Sequence, residues 1–210
     1  MKLIIFGLPG AGKGTQAKLI AEKYLLAHIS TGEIFRKNIS SGTILGKKVK
    51  EIIDKGLLVP DDITLNILEN ELKSINYDNF LLDGYPRNLS QVKSLEKITK
   101  IDKVINIELS DEEAIKRQIG RRQCQKCKRN YNINIPFLKP KNNEFCDDCK
   151  TKLAERVDGK PDIVQKRIKV YHEQSKPALD YYKLKGILIN IDGSGKIEEI
   201  FSKIQKSIED

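Results

Sequence analysis

The stretch Gly7-Leu8-Pro9-Gly10-Ala11-Gly12-Lys13-Gly14-Thr15-Gln16 follows directly on the apolar run Leu3-Ile4-Ile5-Phe6, and it constrains the chain more than any other feature. A short buried strand that feeds a glycine-rich turn and then opens a helix aims several backbone N–H groups at one point. The positive end of the helix points there too, so only an anion belongs in that place. Gly7, Gly10, Gly12 and Gly14 are expected to take left-handed backbone angles and to let the main chain approach phosphate oxygens that a Cβ would obstruct. Lys13 then reaches the outer phosphates. The pattern departs from the general phosphate-loop (P-loop) formula at one place. Gly14 follows the lysine where Ser or Thr is usual, and the hydroxyl comes one residue later at Thr15.

Around this seed, strand-sized apolar runs over 2–6, 27–30, 80–82, 104–109 and 187–191 alternate with helical patterns, the signature of a parallel sheet wound with helices. Helices are expected over 13–24, 32–40, 45–54, 61–75, 90–98, 111–118, 163–182 and 196–208. Asp61-Asp62 marks one start, and Ser110 with Glu113 three residues on has the capping-box arrangement. Pro177 is expected to bend or break the long late helix. Two stretches interrupt the alternation: a helical insertion over 31–59, and 121–157, which holds the cysteines and lacks helical periodicity. Both read as small mobile subdomains on a core made of 1–30, 60–120 and 158–210.

A chain of 210 residues with 39% hydrophobic content can build one packed domain with insertions. Its longest apolar runs are strand-sized, far short of the ~18 residues that span a bilayer. Met1 leads straight into a strand, leaving no room for a leader, and the protein is expected in the cytoplasm as a monomer without membrane contact. The net charge of +9 raises a nucleic-acid reading, but the lysines are spread along every segment, and aromatics are only 6% with no Trp, which disfavours a stacking platform. Arginine is scarce: eight of the 38 basic residues, at 36, 87, 117, 121, 122, 129, 156 and 167. In so lysine-rich a chain these few mark sites that need a planar fork for phosphate; Arg122 and Arg129 read as ordinary surface charge.

Cys124-x2-Cys127 and Cys146-x2-Cys149 are two knuckles separated by 18 residues, the spacing of a closed tetrathiolate site for zinc, with iron as an alternative for the same ligands. A subdomain of this size has too little core to stand alone, so metal binding would supply much of its folding energy. Phe80-Leu81-Leu82-Asp83-Gly84-Tyr85-Pro86-Arg87 is a strand ending in an acid, then a turn and an arginine. Asp83 is placed like the acid that organises magnesium water beside a phosphate loop. Arg117 and Arg121, four apart, are expected on one helix face at the start of the cysteine segment, and Arg156 and Arg167 bracket its end. Arginines converging on one cleft repel one another unless a polyanion lies between them, which points to a transferring phosphoryl group. His28 and His172 have no triad or metal spacing, and His28 reads as structural.

Taken together, these motifs resemble the adenylate kinases, in particular the bacterial type with a long zinc-containing lid, and the resemblance covers essentially the whole chain. It implies phosphoryl transfer from ATP to AMP, giving two ADP, with Mg2+ on the nucleotide. It places ATP on Gly10, Ala11, Gly12, Lys13, Gly14 and Thr15, with Arg117, Arg121, Asn130, Tyr131 and Gly195 completing its site; Asn130 and Tyr131 would pack over the ATP base. AMP falls to Thr31, Arg36, the edge Leu57-Leu58-Val59, the segment Gly84-Tyr85-Pro86-Arg87 and Gln91, with Gln91 reading adenine. Arg156 and Arg167 would clamp phosphates on closure, and Lys13, Arg87, Arg121, Arg156 and Arg167 would carry the chemistry. Asn132 stands where the family has His, the lid is two residues longer than usual, and Asp158-Gly159 replaces a pair of acids, departures that bear on lid closure. A UMP/CMP kinase or a GTP-using kinase is the alternative within this class, and a zinc-ribbon nucleic-acid binder that uses ATP only as a switch the alternative outside it.

Overall fold

The computed structural model describes residues 1–142, 144–155 and 159–209. Strands β1 (Lys2–Gly7), β2 (Ala27–Ser30), β3 (Phe80–Asp83), β4 (Lys103–Glu108) and β8 (Leu188–Asp192) form one sheet in the order β2-β3-β1-β4-β8, and every pairing is parallel. Parallel strands need crossovers that cover both faces, so the central strand is apolar at every position from Leu3 to Phe6. Leu3, Ile5, Leu81, Ile105 and Ile107 enter one core with α1 (Lys13–Tyr24), α6 (Asp111–Ile119), α7 (Pro161–Val170) and α9 (Ile197–Glu209). Ile4, Phe6, Phe80, Leu82 and Val104 enter the other, with α4 (Asp61–Ser74), α5 (Leu89–Glu96) and α8 (Lys176–Leu184). The carboxyl end of β1 lies at the point where strand order reverses, the position at which open α/β sheets place ligands.

Helices α2 (Thr31–Ser40) and α3 (Ile44–Asp54) pack around Phe35, Val49 and Val59 as a separate small core. Ser30, Thr43, Asn88 and Ser110 cap α2, α3, α5 and α6 through side-chain oxygens. Only half of the expected capping box at α6 forms. Ser110 Oγ accepts from Glu113 N, while the Glu113 carboxylate turns to Arg117 Nε at 2.9 Å. Strands β5 (Arg121–Cys124), β6 (Asn130–Asn132) and β7 (Leu153–Glu155) make a separate antiparallel sheet in the order β6-β5-β7. These strands are too short for an alternating pattern to be legible. Arg121 therefore stands in β5 rather than on the helix of Arg117, because α6 stops at Ile119.

The long late helix is interrupted ahead of Pro177, by a five-residue π turn over Tyr171–Ser175. The proline sits in the first turn of α8, where a missing N–H costs little. No helix among the described residues is long and apolar enough to cross a membrane.

Candidate active site and metal centre

Helix α1 begins on Gly12, whose φ of 89° lies in the left-handed region; no side chain caps the helix and its first turn carries no acid. Its leading N–H groups are thus left for an anion. Gly14 differs from the expectation: it is helical, and a Cβ there would stand 3.6 Å from Asp83 Oδ2, an ordinary contact. Lys13 Nζ folds back to donate to the carbonyl oxygens of Gly7 at 2.6 Å and Leu8 at 2.8 Å. Burial pushes its amine from the ordinary 10.5 down to about 7; Asp83 opposes the shift, while Arg87, Arg167 and Arg121 add to it. One acid and three guanidinium groups from β3, the loop after it, α7 and β5 therefore act on one phosphate-loop amine.

Asp83 ends β3 with a largely buried side chain. Burial disfavours its charge, but His28, Lys13 and Arg87 outweigh that and hold the carboxyl below the usual carboxylate range. His28 Nε2 lies 3.6 Å from Asp83 Oδ2, and Ser30 Oγ donates to the same oxygen at 3.2 Å. His28 is thus part of the site's surroundings, a role its apolar strand concealed; the register that pairs Ser30 with Asp83 brings both polar residues to the acid.

The segment after Asp83 is pinned closely. The Tyr85-Pro86 peptide bond is cis. Thr31 Oγ1 donates to the Gly84 carbonyl oxygen at 3.0 Å, and Arg87 Nε donates to the same oxygen at 2.8 Å. Arg87 N donates to Gln91 Oε1 at 2.7 Å, and Gln91 Nε2 donates to Asp61 Oδ1 at 2.7 Å. Leu57 is exposed at the rim of the small helical core, while Val59 is buried in it. Arg36 is exposed on α2, its guanidinium turned back toward Gly32. Sequence reasoning missed Asp61, taken only as a helix start, and Ser175, whose hydroxyl reaches the Arg87 carbonyl.

On the other side, Arg117 is tied by Glu113 and donates to the Gly193 carbonyl oxygen at 3.0 Å, beside Gly195. Arg121 Nη2 lies 3.4 Å from Asn130 Oδ1. The ring of Tyr131 is inside the cysteine-bearing sheet, 4% exposed, and its hydroxyl accepts from Asp147 N at 2.9 Å and lies 3.3 Å from Cys146 Sγ. In this conformation the ring presents no face to a base; Asn130 is exposed beside it. Arg156 and Asp158 lie outside the described residues.

The four cysteine sulfurs all lie within 4.8 Å of one another. Cys127 Sγ and Cys146 Sγ are 3.7 Å apart, close to the ~3.8 Å edge of a tetrahedron with bonds of about 2.3 Å. Both knuckles fold alike: the carbonyl oxygens of Cys124 and Cys146 accept from Lys128 N and Lys150 N, each at 3.0 Å, with φ of 61° and 56° at the two lysines. The Tyr131 hydroxyl draws the Cys146 thiol down to about 6, whereas hydrogen bonding to Cys127 and burial push Cys149 up to about 12. Four thiols this close do not ionise together without a cation, and the donor set fits one soft enough for thiolates. Arg122 and Arg129 are more than scattered surface charge. Arg122 pairs with Glu155 across β5 and β7 at 2.6 Å, and Arg129 joins the knuckles through Asp148 at 2.7 Å while lying over the Tyr131 ring.

The adenylate kinase family model matches residues 5–187. An adenylate kinase of Caldicellulosiruptor saccharolyticus is 44% identical, covering 99% of each chain. One from Caldanaerobacter subterraneus subsp. tengcongensis is 46% identical over 99% of this chain and 96% of its own. A third, from Clostridioides difficile, is 45% identical over 97% and 96%. Similarity of that order along the full length, on a parallel sheet with its phosphate loop at the reversal point, makes the chain a member of the adenylate kinase family.

Proposed function

We propose that ATP + AMP and 2 ADP are interconverted in the cleft where Lys13, Asp83, Arg87, Arg121 and Arg167 act on one another. The observation that carries this reading is the convergence on Lys13, a buried phosphate-loop amine, of Asp83, Arg87, Arg121 and Arg167 from four separate parts of the fold, a setting suited to polyphosphate. ATP phosphates lie on Gly10 to Thr15, with Arg117 and Arg121 directed to them and the Asn130-Tyr131 segment and Gly195 at the base end. AMP lies against Thr31, Arg36, Leu57, Leu58, Val59 and the segment from Gly84 to Gln91. Arg156 and Arg167 close on the phosphates.

These residues work by holding donor and acceptor in line and by placing positive charge where negative charge builds up. The acceptor is itself a phosphate, already ionised near neutral pH, so no side-chain base is required. Asp83, held ionised beside Lys13, and the Thr15 hydroxyl are hard oxygen donors suited to the water shell of Mg2+. When bound with ATP, that ion neutralises charge on the β- and γ-phosphates. The segments over 31–59 and 121–157 are the moving parts, and the tetrathiolate site is structural, with zinc as its ion. The protein acts on small nucleotides as a cytoplasmic monomer.

Purified protein offered ATP with AMP, UMP, CMP and GMP in turn is expected to use AMP strongly in preference. Turnover of a pyrimidine nucleotide at a comparable rate would overturn the assignment of the acceptor site.

A further inference from the structure

Gln91 is 2% exposed, and its amide is held at both ends. Oε1 accepts from the main-chain N–H of Arg87, which can only donate, and Nε2 donates to a carboxylate oxygen of Asp61, which can only accept. The chemistry of the two partners therefore fixes which way the amide faces. The same acid orients a second amide: Asn88 Nδ2 donates to Asp61 Oδ1 at 3.2 Å, leaving Asn88 Oδ1 to accept from Gln91 N at 2.8 Å and cap α5. Asp61 occupies the first position of α4, where an acid is ordinarily explained by the helix dipole. Its carboxylate is instead directed across to the loop that carries Arg87.

We propose that Asp61 is a specificity-determining positioning residue: together with the Arg87 N–H it fixes the order in which Gln91 presents donor and acceptor to the AMP base. This rests on the reading of Gln91 as the residue that contacts that base. After its two internal bonds the amide retains one N–H and one lone pair. Adenine offers an amino donor beside a ring-nitrogen acceptor, the arrangement a carboxamide matches with two bonds when its own order is right. Hypoxanthine, with a 6-oxo acceptor beside an N1–H donor, carries the reverse order. An amide free to turn over would serve both bases; one locked by a carboxylate serves adenine and leaves its own polar atoms mismatched against hypoxanthine.

The test compares AMP with IMP as acceptors, at fixed ATP, in wild type, Asp61→Asn, Asp61→Glu and Gln91→Leu. The carboxamide introduced by Asp61→Asn can donate or accept, so it no longer opposes a turned amide and leaves the Arg87 N–H as the one remaining constraint on the facing of Gln91. The wild-type preference for AMP in kcat/KM is expected to fall by about tenfold or more in Asp61→Asn, through KM of the acceptor, with KM for ATP within about twofold. Asp61→Glu keeps an acceptor-only partner and is expected to retain more of the preference. A purely structural role would lower the melting temperature and kcat for both acceptors with the AMP:IMP ratio unchanged, and that result overturns the proposal. Gln91→Leu separates the two layers. If it leaves the ratio intact, the base-reading assignment fails; if it abolishes the ratio while Asp61→Asn preserves it, the lock alone fails. Hydrogen exchange on the folded wild type guards against a variant that does not fold. The Gln91 side-chain NH2, assigned by its loss in Gln91→Leu, is expected to be protected, and exchange as fast as in an exposed glutamine overturns the lock.

Discussion

Ser175 donates its hydroxyl to the main-chain carbonyl oxygen of Arg87 across 2.9 Å, joining the π turn of the long late helix to the loop that carries an arginine proposed to bind the AMP phosphate. Arg167 stands in the same helix, eight residues upstream. The helix of Arg167 and the loop of Arg87 are thereby joined through a partly buried bond, Ser175 itself being 5% exposed. Ser175→Ala leaves the Arg87 carbonyl without this partner, at a cost of about 1–2 kcal/mol. Calorimetry is expected to record a melting temperature lower by roughly 2–8 °C for a chain of this size, with KM for AMP raised. An unchanged melting temperature and KM would mean that the bond contributes nothing.

The downward shift of Lys13 gives nucleotide binding a pH dependence of definite sign. With its amine near 7 through burial, the free enzyme has largely lost this proton at pH 8. A bound polyphosphate favours the charged form and restores it. Binding therefore takes up a proton above about pH 7 and none well below it, and this contribution to affinity weakens as the pH rises. Titration calorimetry of a non-hydrolysable ATP analogue in two buffers of different ionisation heat is expected to give greater uptake at pH 8 than at pH 6. Lys13→Met should abolish the difference and lower kcat by at least about 100-fold.

Removal of the metal is expected to separate stability from chemistry. Replacing any of Cys124, Cys127, Cys146 or Cys149 by Ser should lower metal content from one equivalent per chain and lower the melting temperature. Among the described residues the apolar core around these cysteines is Tyr131 and Leu153, too little to offset the entropy of the segment. Activity measured well below that temperature should persist in large part, because the sulfurs form a closed site. Elemental analysis and thermal scans on the same samples decide this, and a folded, metal-free, wholly inactive enzyme would contradict it.

Asn132, one of the departures from the resemblance, is buried and donates through Nδ2 to the Arg117 carbonyl oxygen at 2.7 Å; neighbouring Asn134 donates to the Lys116 carbonyl oxygen at 2.9 Å. The β5–β7 sheet is thus fastened to the last carbonyls of α6. Asn132→Ala should cost about 1–3 kcal/mol locally and speed hydrogen exchange in β5 and β6, whereas Asn132→His, which keeps a donor, should lose less. Equal exchange in all three proteins would show that the fastening lies elsewhere.

The sheet, its helices and the phosphate loop were legible because each follows from local chemistry: apolar runs of strand length, a glycine turn, a lysine, and caps such as Ser110. The strands of the cysteine segment were not, since three or four residues carry no period. Asp61 was recognised as a helix start but not as the partner of Gln91, because that bond spans 30 positions and depends on how α4 meets the loop after β3. His28 was hidden for a similar reason: only the β2–β3 register brings it to Asp83. The expectation of a break at Pro177 placed the irregularity too late, because a proline in the first turn of α8 is tolerated and the π turn relieves the helix before it.

That π turn sits between two halves of one helix that serve opposite faces of the sheet. Val164 and Ile168 of α7 pack in one core, and Ala178 and Tyr182 of α8 pack in the other. The segment of α7, π turn and α8 therefore belongs to both layers, and neither layer can melt without pulling on the side chains that seal the other. The two cores are bound into one cooperative unit by this helix as well as by the sheet between them, so the amides of β1 and β4 should share a single opening free energy whichever face their side chains occupy.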